Sequence, residues 1–327
     1  MRSIMNIYDE VKGAVTIGIS GHIRPDGDCI GAAVGLYLYL KKACPSADVQ
    51  VMLEKPADVF SCIKGISEIH TDFQTDVECF DVFIAVDTSK ERMGEAEKYF
   101  DGAKKTINID HHVSNSGCGD VNYIVPEASS TSELIYQVME DKSFVDVEIA
   151  KAIYVGIIHD TGVFQYSNTS PSTFKAAAEL IDYGFDFSKI IDETFYEKTY
   201  VQNQILGRAL LESILFMDGK CVVSMVDKKT MGFYQAGPHD LEGIVNHLRN
   251  IKGVECAIFM YQTDTLEYKV SLRSNGLVDV SKIAVFFGGG GHVRAAGATM
   301  QGTFHDITNN LSARIDAQLK EIERTKV

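Results

Sequence analysis

In the first half of the chain, short apolar runs typical of β-strands alternate with longer stretches typical of helices. The predicted strands are Val15–Ser20, Val49–Leu53, Val82–Val86 and Thr106–Ile109. The predicted helices are Gly27–Lys42, Ser130–Asp141, Ile149–Ile158 and Pro171–Asp182. Strands that alternate with helices favour an α/β fold built on a doubly wound, mostly parallel sheet.

The pattern changes near residue 216, where a second, smaller α+β domain is predicted. Its predicted strands are Ile214–Met217, Lys220–Val226, Glu255–Gln262 and Glu267–Arg273, the first two joined by a hairpin turn at Asp218-Gly219. Its predicted helices are His239–Asn250, Asp279–Phe286 and Asp306–Arg324. A chain of 327 residues is long enough for two domains. We therefore expect a catalytic domain over 1–187, a helical connector over 188–215 and a second domain over 216–327.

The charge is unevenly distributed between the two halves. Residues 1–215 carry 18 Lys and Arg against 33 Asp and Glu, whereas residues 216–327 carry 13 against 12. A long nucleic acid needs a basic track that neutralises many phosphates, so long DNA or RNA is excluded as a partner. No apolar run approaches the roughly 20 residues that span a bilayer, so no membrane partner is expected. Seven scattered cysteines without a CxxC pair predict a cytoplasmic protein with reduced thiols.

Metal-binding side chains are densest directly after the first predicted strand. His22, Asp26 and Asp28 fall within seven residues, in a turn that precedes a predicted helix. Open α/β folds place their ligands at the carboxyl ends of the strands, where this turn is expected. Carboxylates with an imidazole suit Mn²⁺, Mg²⁺ or Fe²⁺. The alternative is an ordinary Pro-Asp-Gly turn without a metal.

Further donors follow other apolar runs of the first half. Asp87 ends the run 81–87, Asp110-His111-His112 ends the strand at 106–109, and Asp160 follows the apolar run 152–158 beside His159. A single acid in such a position is commonly a helix cap. Several in succession instead predict a site for two metal ions, the usual arrangement for attack on phosphorus.

In the second half, Gly288–Gly291 form a run whose backbone N–H groups could approach an anion. The alternative is a flexible turn. Two features favour anion binding: His292 and Arg294 follow the glycines at once, and Arg273-Ser274 ends a predicted strand. Arginine can bind a phosphate through two parallel hydrogen bonds.

Four motifs resemble, in order and spacing, those of the DHH phosphoesterase superfamily: GHIRPDGD, AVDTS, DHH and GIIHDTG. The runs VSLRS and GGGGHVRAAG resemble its DHHA1 domain, so the resemblance covers nearly the whole chain. It implies that two divalent ions, with Mn²⁺ expected, are held by six residues: His22, Asp26, Asp28, Asp87, His111 and Asp160. One ion would be held by His22, Asp26, Asp87 and Asp160. The other would be held by Asp28, Asp87 and His111, so that Asp87 bridges the pair.

The resemblance also implies roles for the remaining candidates. Asp110 would orient a neighbouring histidine, with direct metal ligation as the alternative. His112 would act on the scissile phosphate, and His159 would pack beside the site. The substrate would be held, across a cleft from the metals, by residues of the second domain: Arg273, Ser274, Gly289, Gly290, Gly291, His292 and Arg294.

In its compact length, the chain is similar to family members that cleave short oligoribonucleotides and 3′-phosphoadenosine 5′-phosphate (pAp) to mononucleotides. Those molecules are accordingly the expected partners. The alternatives are a phosphodiesterase of cyclic or linear dinucleotides, a manganese pyrophosphatase and a non-catalytic nucleotide sensor. A pyrophosphatase would lack the glycine–histidine run, and a sensor would have lost a metal ligand. The oligomeric state is left open, with a homodimer as one alternative.

Overall fold

The computed structural model describes residues 4–325, which fold as two compact units divided between Glu197 and Lys198. The division lies inside the segment 188–215, predicted as one helical connector. That segment is instead broken, because a π-helical turn over Asp192–Tyr196 ends the first unit and a new helix begins at Tyr200. Thr199 and Gln202 form a capping box at this helix start, so the local sequence fixes the break.

The first unit is built on a parallel sheet of five strands in the order β2-β1-β3-β4-β5. The strands are β1 Thr16–Ser20, β2 Asp48–Met52, β3 Val82–Val86, β4 Thr106–Asp110 and β5 Val121–Ile124. Every residue of β3 is buried, as expected for a strand covered on both faces. The four strands predicted for this half are confirmed, and β5 is an additional edge strand.

The α-helices in the described part of the first unit, residues 4–197, are α1 Ile7–Val11, α2 Gly27–Ala43, α3 Glu97–Gly102, α4 Thr131–Val138, α5 Val147–Asp160, α6 Pro171–Ile181 and α7 Phe187–Ile191. Helices α2 and α5 make the closest approach. A Cβ on Gly31 of α2 would lie 2.6 Å from the carbonyl oxygen of Ala152 in α5. A Cβ on Gly156 of α5 would lie 1.9 Å from Oγ of Ser132 in α4. Glycine at these two positions lets the three helices pack directly together, and their ends carry part of the site described below.

The second unit contains a mixed sheet of six strands in the order β10-β11-β9-β8-β7-β6. The strands are β6 Ile214–Phe216, β7 Cys221–Val226, β8 Cys256–Asp264, β9 Glu267–Ser274, β10 Gly290–His292 and β11 Ala295–Gln301. Its helices are α8 Tyr200–Leu211, α9 Lys228–Tyr234, α10 Ile244–Arg249, α11 Val280–Phe286 and α12 Phe304–Thr325.

The α+β class predicted for the second half is confirmed. The sheet separates two hydrophobic cores, one with α11 and α12 and the other with α8 and α10. The glycine run, expected as a loop, enters the sheet, because Gly290 begins β10. None of the helices in residues 4–325 combines the length and the apolar character needed to cross a membrane.

Candidate metal centre

Three adjacent strands of the first unit end in residues that can bind a metal ion. His22 follows β1, Asp87 follows β3 and Asp110 is the last residue of β4. β1 lies between β2 and β3, so the order of the strands reverses beside it. A crevice at the carboxyl ends of the strands is expected at such a reversal, and the candidate ligands surround this point.

The turn after β1 is held by its own side chains. Oδ1 of Asp26 accepts hydrogen bonds of 3.1 Å from the backbone N–H groups of Asp28 and Cys29, which caps α2. Nδ1 of His22 lies 2.8 Å from the carbonyl oxygen of Ile23 and must donate to it. Nε2 of His22 is therefore available to a metal, and it lies 3.6 Å from Oδ1 of Asp26.

Asp87 lies between two groups of donors. Its backbone adopts a left-handed conformation with φ of 56°, and its side chain is 2% exposed. Oδ2 lies 3.5 Å from Nε2 of His22, whereas Oδ1 lies 3.8 Å from Nε2 of His111. One carboxylate thus presents a different oxygen to each histidine, which is the arrangement of a ligand that bridges two ions.

The second donor group is centred on His111. Its Nε2 lies 3.4 Å from Oδ2 of Asp160 and 3.9 Å from Oδ2 of Asp28. The resemblance implied that Asp160 shares an ion with His22, but in the structure Asp160 groups with Asp28 and His111. The reason is the packing of α5 on α2 and α4, which brings the carboxyl end of α5 to the end of β4.

Electrostatics in the protein without ions favour cation binding at these groups. Burial raises the pKa of Asp28 well above its usual value, and repulsion from Asp87 and Asp160 adds to the rise. Burial also raises the pKa of Asp160 to about 6, with Asp87 adding to the rise and His111 opposing it. Burial alone would lower the pKa of His22, but Asp26 and Asp87 outweigh it and raise that pKa to about 10. Divalent cations would relieve this crowding of carboxylates, and oxygen and imidazole donors suit them.

Asp110 and His112 contact each other and lie with Asp87 and His111 in a further group of possible metal donors. Oδ1 of Asp110 lies 2.8 Å from Nδ1 of His112 and also accepts hydrogen bonds from the backbone N–H groups of His111 and His112. Its Oδ2 accepts a hydrogen bond of 2.6 Å from Nδ2 of Asn115. Both oxygens of Asp110 are thus engaged within the protein. This arrangement suits an orienting residue better than a metal ligand.

The structure adds residues that the sequence analysis missed, most of them around the start of α4. The backbone N–H groups of Thr131 and Ser132 donate to Asp28 at 2.7 and 2.8 Å, and Oγ1 of Thr131 donates to Oδ1 of Asp87 at 3.0 Å. Nδ2 of Asn168 donates to the carbonyl oxygens of Ser129, at 2.8 Å, and Asp160, at 3.1 Å. The run Ser129–Glu133 has the composition of a helix start, and that was its only signal in the sequence.

Cys29 was also missed. Its side chain is buried within the group formed with His22 and Asp87. A Cβ on Gly21 would lie 2.2 Å from the Cys29 sulfur, so glycine is needed at the strand end. Burial raises the pKa of the Cys29 thiol well above its usual value, which suits a packed thiol rather than a thiolate ligand.

In the second unit, Arg273 lines an open concavity of about 460 Å³ on one face of the sheet. Its Nε donates to Oδ1 of Asn246 at 3.0 Å, which fixes the side chain against α10. Lys269 and Ser271 line the same concavity, because alternate residues of β9 share a face. In the register of the sheet, Ala295 lies opposite both Arg273 and His292, so these three residues share that face.

The structure divides the other candidates of this unit into two kinds. Ser274 is 1% exposed and donates to Oε1 of Glu255 at 2.9 Å, so its side chain is turned away from any substrate. A Cβ on Gly289 would lie 2.1 Å from a carbonyl oxygen of β11, and a Cβ on Gly291 would lie 2.5 Å from another. Packing therefore requires glycine at both positions. A Cβ on Gly290 would meet nothing within 4 Å. Arg294 is exposed and lies against Gly276.

Family models match both units of the chain. The model of the DHH family N-terminal domain matches residues 16–157, and the model of the DHHA1 domain matches residues 218–324. The chain belongs to the DHH/DHHA1 family of phosphoesterases. The candidate ligands lie in the range matched by the DHH model except for Asp160, which lies three residues beyond it. The concavity at Arg273 lies in the range matched by the DHHA1 model.

Relatives of this DHH/DHHA1 protein match it over nearly its whole length. The bifunctional oligoribonuclease and PAP phosphatase NrnA of Bacillus subtilis is 28% identical over 98% of this chain and 97% of its own. NrnA of Thermus thermophilus is 28% identical over 99% of this chain and 95% of its own. The crystal structure of an exopolyphosphatase-related protein from Bacteroides fragilis is similar with a TM-score of 0.86. It is 27% identical and covers 95% of this chain and 94% of its own.

Proposed function

We propose that this DHH/DHHA1 protein is a two-metal phosphoesterase that hydrolyses short oligoribonucleotides and pAp to mononucleotides. The observation that carries the proposal is the position of Asp87, whose two oxygens face His22 on one side and His111 on the other. We assign one ion to His22, Asp26 and Asp87 and the other to Asp28, Asp87, His111 and Asp160. Mn²⁺ is the ion we expect.

Bound in these groups, divalent ions would supply the Lewis acidity that makes water a nucleophile and would offset charge on the phosphate oxygens. The protein supplies the remaining interactions. Asp110 holds Nδ1 of His112 at 2.8 Å, so Nδ1 carries a proton and the ring has a fixed orientation. We assign Nε2 of His112 to the scissile phosphate, where it would donate a hydrogen bond to a phosphoryl oxygen or a proton to the leaving oxygen.

The DHHA1 domain would hold the other end of the substrate. Arg273 and His292 share one face of its sheet, and Gly290 leaves that face open to an approaching anion. We assign these three residues, with Arg294, to the terminal phosphate and its nucleoside. Ser274, Gly289 and Gly291 would act through packing. The near-neutral charge of residues 216–327 fits a few specific phosphate contacts rather than a long track.

One site can serve both substrates because the bond that breaks is the same. In pAp the leaving group is the 3′-oxygen of a nucleotide that carries a 5′-phosphate. In a short oligoribonucleotide with a 5′-phosphate, the leaving group at the first linkage is again such a 3′-oxygen. A protein that binds the 5′-phosphate of either molecule would therefore cleave the same kind of ester in both cases. The names of the NrnA relatives pair these two activities.

The test is a product time course with Mn²⁺ on pAp, the linear dinucleotide pApA, a five-mer RNA and a cyclic dinucleotide. We expect AMP from the first two and stepwise shortening of the five-mer, each abolished by a chelator. Hydrolysis of the cyclic dinucleotide alone would replace this proposal with the cyclic dinucleotide alternative. Inactivity on all four would refute both. The cytoplasmic location stays a prediction, and a homodimer stays one alternative for the oligomeric state.

A further inference from the structure

A row of aromatic rings lies beside the metal centre in the first unit. The ring of His159 lies 5.0 Å from that of Phe60 and 5.5 Å from that of Phe195, between centroids. Phe195 in turn lies 5.2 Å from Tyr196. The row runs from Phe60, which is buried, to Tyr196, which is 52% exposed. Phe195 and Tyr196 belong to the π-helical turn Asp192–Tyr196, a type of turn often found at functional sites.

His159, the second ring of the row, touches the chain between candidate ligands. A Cβ on Gly27 would lie 2.3 Å from Cγ of His159, so the imidazole packs directly on the residue between Asp26 and Asp28. His159 also directly precedes Asp160. Nε2 of His159 lies 3.2 Å from Oγ1 of Thr194, which ties the ring to the π-helical turn. The half-buried Phe195 is thus held one side chain away from the metal centre, and the exposed Tyr196 lies against Phe195.

The charge of this half of the protein limits how it can hold a nucleotide. Residues 1–215 carry 33 acidic against 18 basic residues, and the centre itself is rich in carboxylates. Contacts to additional phosphates would be unfavourable here. Stacking of a base on an aromatic ring needs no positive charge and works for every base. Rings beside the centre therefore match a neutral base better than a second phosphate.

We propose that Phe195 and Tyr196 form a stacking site for the base of the nucleoside that remains attached to the attacked phosphorus. This inference rests on the proposed function, in which the DHHA1 domain holds the nucleotide that provides the leaving 3′-oxygen. The stacked nucleoside is the second one of a linear dinucleotide. pAp has no such nucleoside, since its 3′-phosphate ends the molecule. The site therefore acts on oligoribonucleotides and has no role with pAp.

The test compares three substrates on the full chain with Mn²⁺: pApA, the same dinucleotide with an abasic 3′-terminal ribose, and pAp. The variants are Tyr196→Leu and Phe195→Leu, which keep apolar bulk but remove the ring. Tyr196→Phe keeps the ring and is the matched control. We expect the leucine variants to lower kcat/KM for pApA about tenfold to a hundredfold. We expect pAp hydrolysis to be unchanged, and Tyr196→Phe to behave as wild type on all three substrates.

In the wild type, the abasic dinucleotide should be a poorer substrate than pApA, and the leucine variants should remove this difference. Equal losses on pApA and pAp would overturn the stacking site, because they would indicate a general disturbance of the metal centre. Unchanged kcat/KM for pApA in both leucine variants would overturn it as well. Wild-type inactivity on pApA and pAp would instead count against the proposed function, so the two failures are distinguishable.

Discussion

Oδ1 of Asp110 lies 2.8 Å from Nδ1 of His112, so the carboxylate fixes both the orientation and the tautomer of this imidazole. Asp110 also accepts hydrogen bonds from the backbone N–H groups of both histidines that follow it. The two histidines consequently have different tasks. His111 faces three carboxylates across the metal centre, whereas His112 is the histidine that we assign to the substrate.

His112→Ala is expected to lower kcat about 10²–10³-fold, the usual cost of losing one donor to a developing negative charge. Metal content, measured by elemental analysis, should stay near that of the wild type. Asp110→Asn should lower kcat less, and adding it to His112→Ala should cause little further loss, because Asp110 acts through His112. His305→Ala, at an exposed position on α12, is the control. Loss of bound metal in His112→Ala would identify His112 as a ligand and contradict the assignment.

Asp87→Ala is expected to remove both ions, since Asp87 is the one residue assigned to both groups. Asp26→Ala should remove only the ion held by His22 and leave the group around His111 intact. The measurement is the metal-to-protein ratio after dialysis against Mn²⁺, together with activity on pAp. A fully metallated and active Asp87→Ala protein would rule out the bridging role.

Divalent ions are expected to stabilise the first unit, because buried carboxylates repel one another there without a cation. An ion at a hundred times its Kd adds about 2.7 kcal/mol to the free energy of unfolding. In a unit of this size, the melting temperature should rise by roughly 5–10 °C. Differential scanning calorimetry with and without Mn²⁺ measures the shift. Asp160→Asn, which removes one of the crowded charges and leaves the backbone hydrogen bonds to Asp28 in place, should raise the melting temperature of the metal-free protein and weaken the response to Mn²⁺. A metal-free wild type that melts at the same temperature as the loaded protein would contradict this account.

The parallel sheet explains why so much of the metal centre could be predicted from the sequence. Apolar runs that end in Asp or His are visible in a single chain, and parallel strands bring their carboxyl ends to one edge. The position of Asp160 beside His111 could not be predicted in this way. Asp160 ends a helix, and its place beside His111 follows from the close packing of three helices at Gly31 and Gly156.

In the second unit the sequence pattern indicates the segment that could bind a substrate but not the face of the strand. Arg273 and Ser274 are adjacent, so they point to opposite sides of β9, and only Arg273 reaches the concavity. The glycine run favours an anion-binding loop over a flexible turn, but it does not predict that Gly289 and Gly291 are fixed by their close approach to β11. Such contacts depend on which strands pair, and residue composition does not determine strand pairing.

Thr131→Val tests a residue that only the structure revealed. Its hydroxyl donates to Oδ1 of Asp87 at 3.0 Å, and both side chains are buried. Loss of a hydrogen bond to a metal ligand typically weakens metal binding by about tenfold to a hundredfold. We expect a higher Mn²⁺ concentration for half-maximal activity, with kcat at saturating Mn²⁺ close to that of the wild type. Thr131→Ser keeps the hydroxyl and should restore the wild-type metal dependence. A loss of kcat that saturating Mn²⁺ cannot reverse would argue against this positioning role.

Arg273→Ala is expected to raise KM for short substrates while leaving the metal content unchanged. Arg273 is held by Asn246 on the face that the DHHA1 domain would present to the substrate. A hydrogen bond to a charged group contributes about 1.5–3 kcal/mol, so KM for pAp and pApA should rise by about tenfold to a hundredfold. Lys282→Ala, which removes an exposed cation on α11 of the same domain, is the matched control and should have no effect.

Arg273→Ala also tests the preference for short substrates. Wild-type protein should cleave a two- to five-mer RNA much faster than a twenty-mer, because the DHHA1 domain would bind a chain end and the acidic first half repels a long backbone. Arg273→Ala should lose most of this preference, since it weakens the contact that favours a short substrate. The measurement is the ratio of initial rates on a five-mer and a twenty-mer over a range of salt concentrations. Equal wild-type rates on both lengths would contradict an end-binding site. A steep loss of RNA binding with rising salt concentration, of the kind that many phosphate contacts produce, would also contradict an end-binding site.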